Sequence, residues 1–99
     1  MIHVLAIITA QPGKRDELLA LFNANVPAVH AEDGCIEYGA VVDVPSTSPA
    51  FGPDVFVVVE KWSSLDALKA HAASSHMVAY GAASKHLVAA RAVHILQPA

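Results

Sequence analysis

The sequence predicts an α+β domain on the ferredoxin-like plan, β-α-β-β-α-β, with a four-stranded antiparallel sheet and helices on one of its faces. Three observations predict it. Four short runs rich in β-branched and aliphatic residues are spread along the 99-residue chain. Helix-patterned segments separate the first pair of runs and the last pair. Only a proline-bearing loop separates the middle pair, which marks a hairpin at the centre of the plan. Valine-rich strands read as buried on both sides, so the sheet face away from the helices needs cover.

The elements follow in order. IHVLAIITA, residues 2–10, is too short for an independent helix and reads as a buried strand. Gln11-Pro12-Gly13 is a turn signal. From Lys14 the pattern changes: Leu18, Leu21, Phe22, Asn25, Val26 and Val29 recur at spacings of three and four behind a charged front, Lys14 to Glu17, as in an amphipathic helix. Pro27 inside it removes a backbone hydrogen bond and is expected to kink or break it. Gly34 is placed as a helix stop. CIEYGAVVD, 35–43, is a second strand, and 44–53, with Pro45, Pro49 and Pro53 in a Ser/Thr-containing stretch, is a loop. VFVVVEKW, 55–62, is the clearest strand of the chain.

Ser63 is a plausible N-cap, with Asp66 in the capping-box position. A short helix over 64–72 then turns Leu65, Leu68 and Ala72 inward. Ser74-Ser75 interrupts it, and a second piece over 76–89 carries Met77, Tyr80, Ser84, Leu87 and Val88 along one side. RAVHILQ, 91–97, is the last strand, ended by Pro98.

Hydrophobic residues make up 55% of the chain and charged residues 15%. So apolar a small domain points to a subunit interface, because large exposed apolar patches mark contact sites. The formal net charge of −3 and the absence of any basic run exclude nucleic acid and anionic membranes as partners. No apolar run approaches the ~20 residues of a membrane span. The first residues alternate as a strand does and carry no basic leader, so a signal peptide is not expected. The single Cys35 allows no intrachain disulfide and fits a reducing compartment. A soluble cytoplasmic protein of one domain over 1–99 is the expectation.

Six histidines raise the question of a metal, and their spacing argues against one. No pair stands at i,i+4, and His71 and His76 are turned about 140° from each other on a continuous helix. No cysteine pair or carboxylate cluster adds ligands, so no metal is expected. No glycine-rich phosphate cradle and no nucleophile elbow is present. Cys35, in a strand without a partner motif, reads as a structural thiol. What stands out is EKWSSLDALKAHAASSHMVAY, which sets Trp62, His71, His76 and Tyr80 around a strand-to-helix junction. His76 and Tyr80, four apart, share a helix face, and His71 adjoins the inward stripe. Two readings stay open: the aromatics are core and the histidines surface or capping residues, or all four line a pocket in which a histidine acts as a base near neutral pH.

These residues carry a resemblance. PGK at 12–14, VPAVHAEDGCIEYGAVVD at 26–43, VVVEKW at 57–62, LKAHAASSHMVAY at 68–80 and ILQP at 95–98 resemble the antibiotic biosynthesis monooxygenase (ABM) family, and within it the small bacterial quinol monooxygenases. The resemblance implies a homodimer packed sheet to sheet, a dimeric α/β barrel with one pocket per subunit, open to higher assembly. It implies oxidation of a quinol or related dihydroxy-aromatic by O₂ without metal, flavin or other cofactor. In that reading His71 or His76 is the base, Trp62 a stacking wall, Tyr80 a hydrogen-bond partner and Glu60 the residue that orients a histidine. Phe22 and Met77 complete the substrate wall. Relatives that degrade haem use an Asn on the first strand; IHVLAIITA has none, and His71 and Gly81 stand where the later Trp and His of that pattern belong. Two alternatives on the same scaffold are a non-catalytic binding or sensing protein and an isomerase of a small phosphorylated signalling metabolite. For the isomerase, Lys61, Lys69, Lys85 and Arg91 are the available cations.

Overall fold

The structure, a computed structural model, describes residues 1–48 and 50–99; of the proline-bearing 44–53 segment, Pro49 lies outside the described residues. The elements are β1 (Ile2–Ala10), α1 (Arg15–His30), β2 (Cys35–Val41), β3 (Val55–Trp62), α2 (Leu65–Ala73), α3 (Ser75–Ser84), a 3₁₀ turn (Lys85–Leu87) and β4 (Val88–Leu96). The strands form one antiparallel sheet in the order β2-β3-β1-β4. This is the ferredoxin-like α+β plan expected from the element order. The sheet is open, however: the chain alone does not close into the expected barrel, because among the described residues β2 and β4 have no strand beyond them.

Register sorts the two faces. Val4 lies opposite Glu60 and Ile95, and Ala6 opposite Val58 and Val93. Because directly paired residues share a face, even positions of β1 and β3 point toward the helices. There Val4, Ala6, Ala10, Phe56, Val58 and Trp62 meet Leu18, Phe22 and Val29 of α1 in one core. Each buried valine, leucine or phenylalanine of this core contributes about 1.5–3 kcal/mol by leaving water. The opposite face carries Leu5, Ile7, Val57 and Val59, and no element of the described chain packs on it.

Local physics explains where the observed elements differ from those expected. α1 runs through Pro27 to His30. Pro27 falls in its last turn, its own carbonyl accepts the Ala31 N–H at 3.2 Å, and the fully buried Val29 anchors that turn to the core. Ser64, not Ser63, caps α2, accepting the Ala67 N–H at 3.1 Å, so Asp66 is out of capping-box position. The buried side of α2 is Ala67, Leu68 and His71. At 100° per residue Leu65 lies about 110° from the centre of that side, and it is 48% exposed; Ala72 is exposed as well. α3 ends at Ser84, five residues earlier than expected, and β4 begins three residues earlier, at Val88. Nothing in VAAR breaks a helix, but β4 gains a full ladder on β1, reaching Ala10 opposite Val88 across a bulge. That non-local pairing outweighs the alanines' helix preference. β2 stops at Val41, two residues short of expectation. No helix of the described residues is long and apolar enough to cross a membrane.

Candidate functional site

Between the helix-side face of the sheet and α2–α3 lies a cavity of about 670 Å³. Val4, Ala6, Ile8 and Val58 form its apolar floor; Phe22, Leu68, Met77 and Tyr80 wall it. Its polar lining is Tyr38, Glu60, His71, Ser84, Lys85 and Arg91. A largely apolar concavity with a few convergent polar groups is the usual form of a small-molecule site. β4 is the open side: Val93 and Ile95 line the cavity and remain exposed.

His71 is its central polar residue. Ser64 starts α2 so that Leu68 and His71 face the sheet, and His71 is only 5% exposed. Its ring packs against Trp62 at a centroid distance of 4.6 Å and meets the edge of Tyr38 at 5.4 Å. Nδ1 is 2.8 Å from Oε2 of Glu32. The carboxylate accepts, so the Nδ1–H tautomer is favoured and the lone pair of neutral His71 sits on Nε2, which has no protein hydrogen-bond partner among the described residues.

Glu32 comes from the turn after α1, and a glycine holds that turn in place. Gly34 adopts φ +82°, and a Cβ there would lie 2.5 Å from Ser63 Oγ and 2.7 Å from Ala67 Cβ. With no side chain at 34, the turn docks under the start of α2, where Ser63 N–H donates to the Gly34 carbonyl at 2.8 Å. The same Oε2 of Glu32 reaches Nε2 of His76 at 2.9 Å. That contact exists because the two histidines are not on one continuous helix. Ser74 is extended (φ −65°, ψ 150°), its hydroxyl donates to the His71 carbonyl at 2.7 Å, and α3 sets off anew from it. The 140° separation expected on one helix therefore does not apply, and a carboxylate unremarked in the sequence joins the pair.

The other expected site residues divide. Glu60, Phe22, Met77 and Tyr80 line the cavity with His71. Trp62 does not: it is fully buried beneath His71, and its indole N–H donates to Oε1 of Glu60 at 2.9 Å. His76 does not line the cavity either; it sits outside, in a shallow depression with Leu21, Ala24 and Asn25. Sequence reading passed over Glu32, Tyr38 and Ser84 as site residues. Glu32 lies 39 residues from His71 in sequence, so no spacing rule could pair them. Tyr38 reads only as part of the second strand, with no neighbouring signal to single it out.

Burial sets the electrostatics. It pushes the Tyr80 phenol above its ordinary value, and the Tyr38 phenol further still. Both stay protonated at neutral pH and serve as donors rather than bases. Burial, with Glu32 and Glu60 nearby, raises the Cys35 thiol, which makes it a poor nucleophile. Glu60 is also raised, by burial first; the Trp62 hydrogen bond and the neighbouring His71 oppose the shift only in part. The sign for stability follows. Between the ordinary value of 4.5 and the raised folded value, the unfolded chain loses its proton first, so stability falls as pH rises through that window. Glu60→Gln keeps an oxygen for the indole N–H and removes the charge. We expect it to raise the melting temperature at neutral pH and to make no difference well below pH 4.5, checked by thermal denaturation across pH; an equal shift at all pH values would sink this account.

Comparison with known proteins gives these features a family context. The profile of the antibiotic biosynthesis monooxygenase family matches residues 1–83. The probable quinol monooxygenase YgiN of Escherichia coli K12 is 37% identical over 102 aligned residues, covering 99% of this chain and 98% of YgiN. Among solved structures, PA3566 from Pseudomonas aeruginosa superposes with a TM-score of 0.83 at 26% identity, over 99% of this chain and 93% of that one. Rv0793 from Mycobacterium tuberculosis does so with 0.82 at 29%, over 99% and 94%.

Proposed function

The chain belongs to the antibiotic biosynthesis monooxygenase family, and on that premise we propose that it oxidises a quinol or related dihydroxy-aromatic with O₂, drawing on no cofactor. The observation that carries this reading is His71: a nearly buried imidazole on the wall of an apolar cavity, with Nδ1 held by the Glu32 carboxylate and Nε2 without a protein partner. The similarity to YgiN, a probable quinol monooxygenase, supports the substrate class.

Each step falls to a residue of this chain. Nε2 of His71 takes a phenolic proton, and Glu32 stabilises the imidazolium that forms. The electron-rich phenolate passes one electron to O₂, leaving a semiquinone and superoxide, and these combine to form a ring C–O bond. Loss of water from the resulting hydroperoxide leaves one oxygen atom on the ring: quinol and O₂ become hydroxyquinone and water. Val4, Ala6, Ile8 and Val58 keep the radical pair from water. Tyr38 and Tyr80, held protonated, can donate hydrogen bonds to developing oxyanions, and Arg91 and Lys85 stand at the same cavity as counter-charges. The test is oxygen consumption with a panel of hydroquinones in the presence of a chelator. The expected result is uptake matched one to one by hydroxyquinone. No uptake with any of them, together with a ligand-induced rise in melting temperature, would instead mark a non-catalytic binding protein.

The reading includes a homodimer. Leu5, Ile7, Val57 and Val59 make an apolar patch on the uncovered sheet face, and a second copy packed there would bury it. Leu5, in the middle of β1 and 39% exposed, sits near its centre. Leu5→Glu is expected to convert a dimer into a monomer by light scattering. A parent already monomeric at micromolar concentration removes this part of the proposal.

A further inference from the structure

We infer that Glu32, His71 and His76 form a site for a borderline transition dication such as Zn²⁺, and that an ion bound there switches off the base. The second clause rests on the function proposed above; the first does not. Oε2 of Glu32 lies 2.8 Å from Nδ1 of His71 and 2.9 Å from Nε2 of His76, and the three donor atoms all fall within 4.8 Å of one another. Around a zinc ion with bonds of about 2.0–2.1 Å, tetrahedrally placed donors stand about 3.3 Å apart. The two carboxylate–imidazole spacings fall about half an ångström short of that value, and the two imidazole nitrogens stand no more than 4.8 Å apart, so side-chain adjustment alone brings the three donors around one ion. Two imidazoles and one carboxylate are a recognised zinc donor set, and nitrogen donors disfavour Mg²⁺ and Ca²⁺.

The surroundings suit an ion. The His76 and Glu32 side chains are 28% and 13% exposed, so solvent reaches the trio from the side away from the cavity, while the His71 side chain, 6% exposed, closes the inner wall. Ser74 Oγ, 3.2 Å from Nε2 of His76, stands beside the fourth position, which a water would fill. Nothing in the proposed chemistry requires His76, so its convergence on the same carboxylate oxygen has no other assigned purpose.

Protons balance without net release when both histidines are neutral. The ion takes the lone pair of each ligating nitrogen, and the displaced protons move to Nε2 of His71 and Nδ1 of His76. His71 then presents N–H to the cavity and can no longer accept a phenolic proton. The ion therefore acts as an inhibitor of metal-free chemistry, not as a cofactor.

Untagged, chelator-treated protein titrated with Zn²⁺ in a calorimeter should bind one ion per chain, and Co²⁺ should develop the strong visible absorption of a low-coordinate nitrogen–oxygen site. Mg²⁺ should give neither signal. His76→Gln, which keeps an N–H for Glu32, should weaken Zn²⁺ binding at least about tenfold. Absence of saturable binding overturns the site. So does binding that survives His76→Gln, which would assign it to surface histidines such as His3 and His94 on the open sheet face. Oxygen uptake that continues at saturating Zn²⁺ overturns the switch, whereas a parent without any uptake that still binds Zn²⁺ as described fails the function proposal and leaves the site standing.

Discussion

His71→Ala should lower quinol-dependent oxygen uptake by about 10²- to 10⁴-fold, the range a positioned general base supplies. The loss should appear in kcat more than in KM, because the ring is one element of a wide apolar wall and contributes little to ground-state binding. Two confounders need separate handling. Alanine also deletes a buried ring that packs on Trp62, and it strips Glu32 of one of its two imidazole partners. His71→Gln answers both: its amide can donate to Glu32 and fills much of the volume, yet it cannot take a proton at pH 7. It should lose activity to the same degree while keeping a melting temperature near that of the parent. Glu32→Gln should show a smaller loss, since it leaves the base present but no longer fixes its tautomer or offsets the imidazolium charge. Uptake by His71→Gln within about twofold of the parent would remove His71 from the chemistry and leave Glu60, the carboxyl on the cavity wall, as the base to test.

The order of strands and helices was legible because each rests on a local pattern. Short runs of β-branched and aliphatic residues gave β1 and β3 at their full extents, and three-four spacing gave the α1 stripe of Leu18, Phe22 and Val29. Boundaries set by non-local pairing were not. The start of β4 depends on where β1 offers partners, and no residue between Ser84 and Val88 announces it. The site divides the same way. Glu60, His71 and Tyr80 stand in one short stretch whose composition drew notice, and they do meet at the cavity. Glu32 reaches them only because Gly34 lets a turn dock on a helix thirty residues further along, a contact that exists in space and not in sequence. Trp62 shows the converse. Residue type and position suggested a ring facing a ligand, and its strand parity does turn it to the helix side with Val58 and Glu60, but there the His71 ring packs over it and stands between it and the cavity. There it supports the site from beneath.

That placement makes Trp62→Ala the substitution with the largest expected effect on stability. Trp62 is fully buried, and truncating a core Trp to Ala costs about 3–5 kcal/mol in transfer and cavity energy. Against the roughly 5–15 kcal/mol that hold a domain together, this removes a large share. It should lower the melting temperature by more than about 12 °C, taking roughly 4–8 °C per kcal/mol for a chain of this size. Part of the effect is not packing. The indole N–H is the one side-chain hydrogen bond made by the buried Glu60 carboxyl among the described residues, and losing it leaves an unpaired acceptor in a poorly solvated wall. Trp62→Phe isolates that part, since it keeps most of the ring and drops only the N–H. It should cost less than the alanine variant, and it should push the Glu60 carboxyl further above its ordinary range, because burial then acts with less opposition. The pH window over which stability falls should widen upward accordingly. Urea denaturation of both variants across pH, at fixed protein concentration because an oligomer would make stability concentration-dependent, separates the two contributions. A loss below about 1 kcal/mol in Trp62→Ala would mean that the layer under His71 refills on its own, and the support assigned to Trp62 would have to come from Tyr38 instead, the other ring in contact with the imidazole.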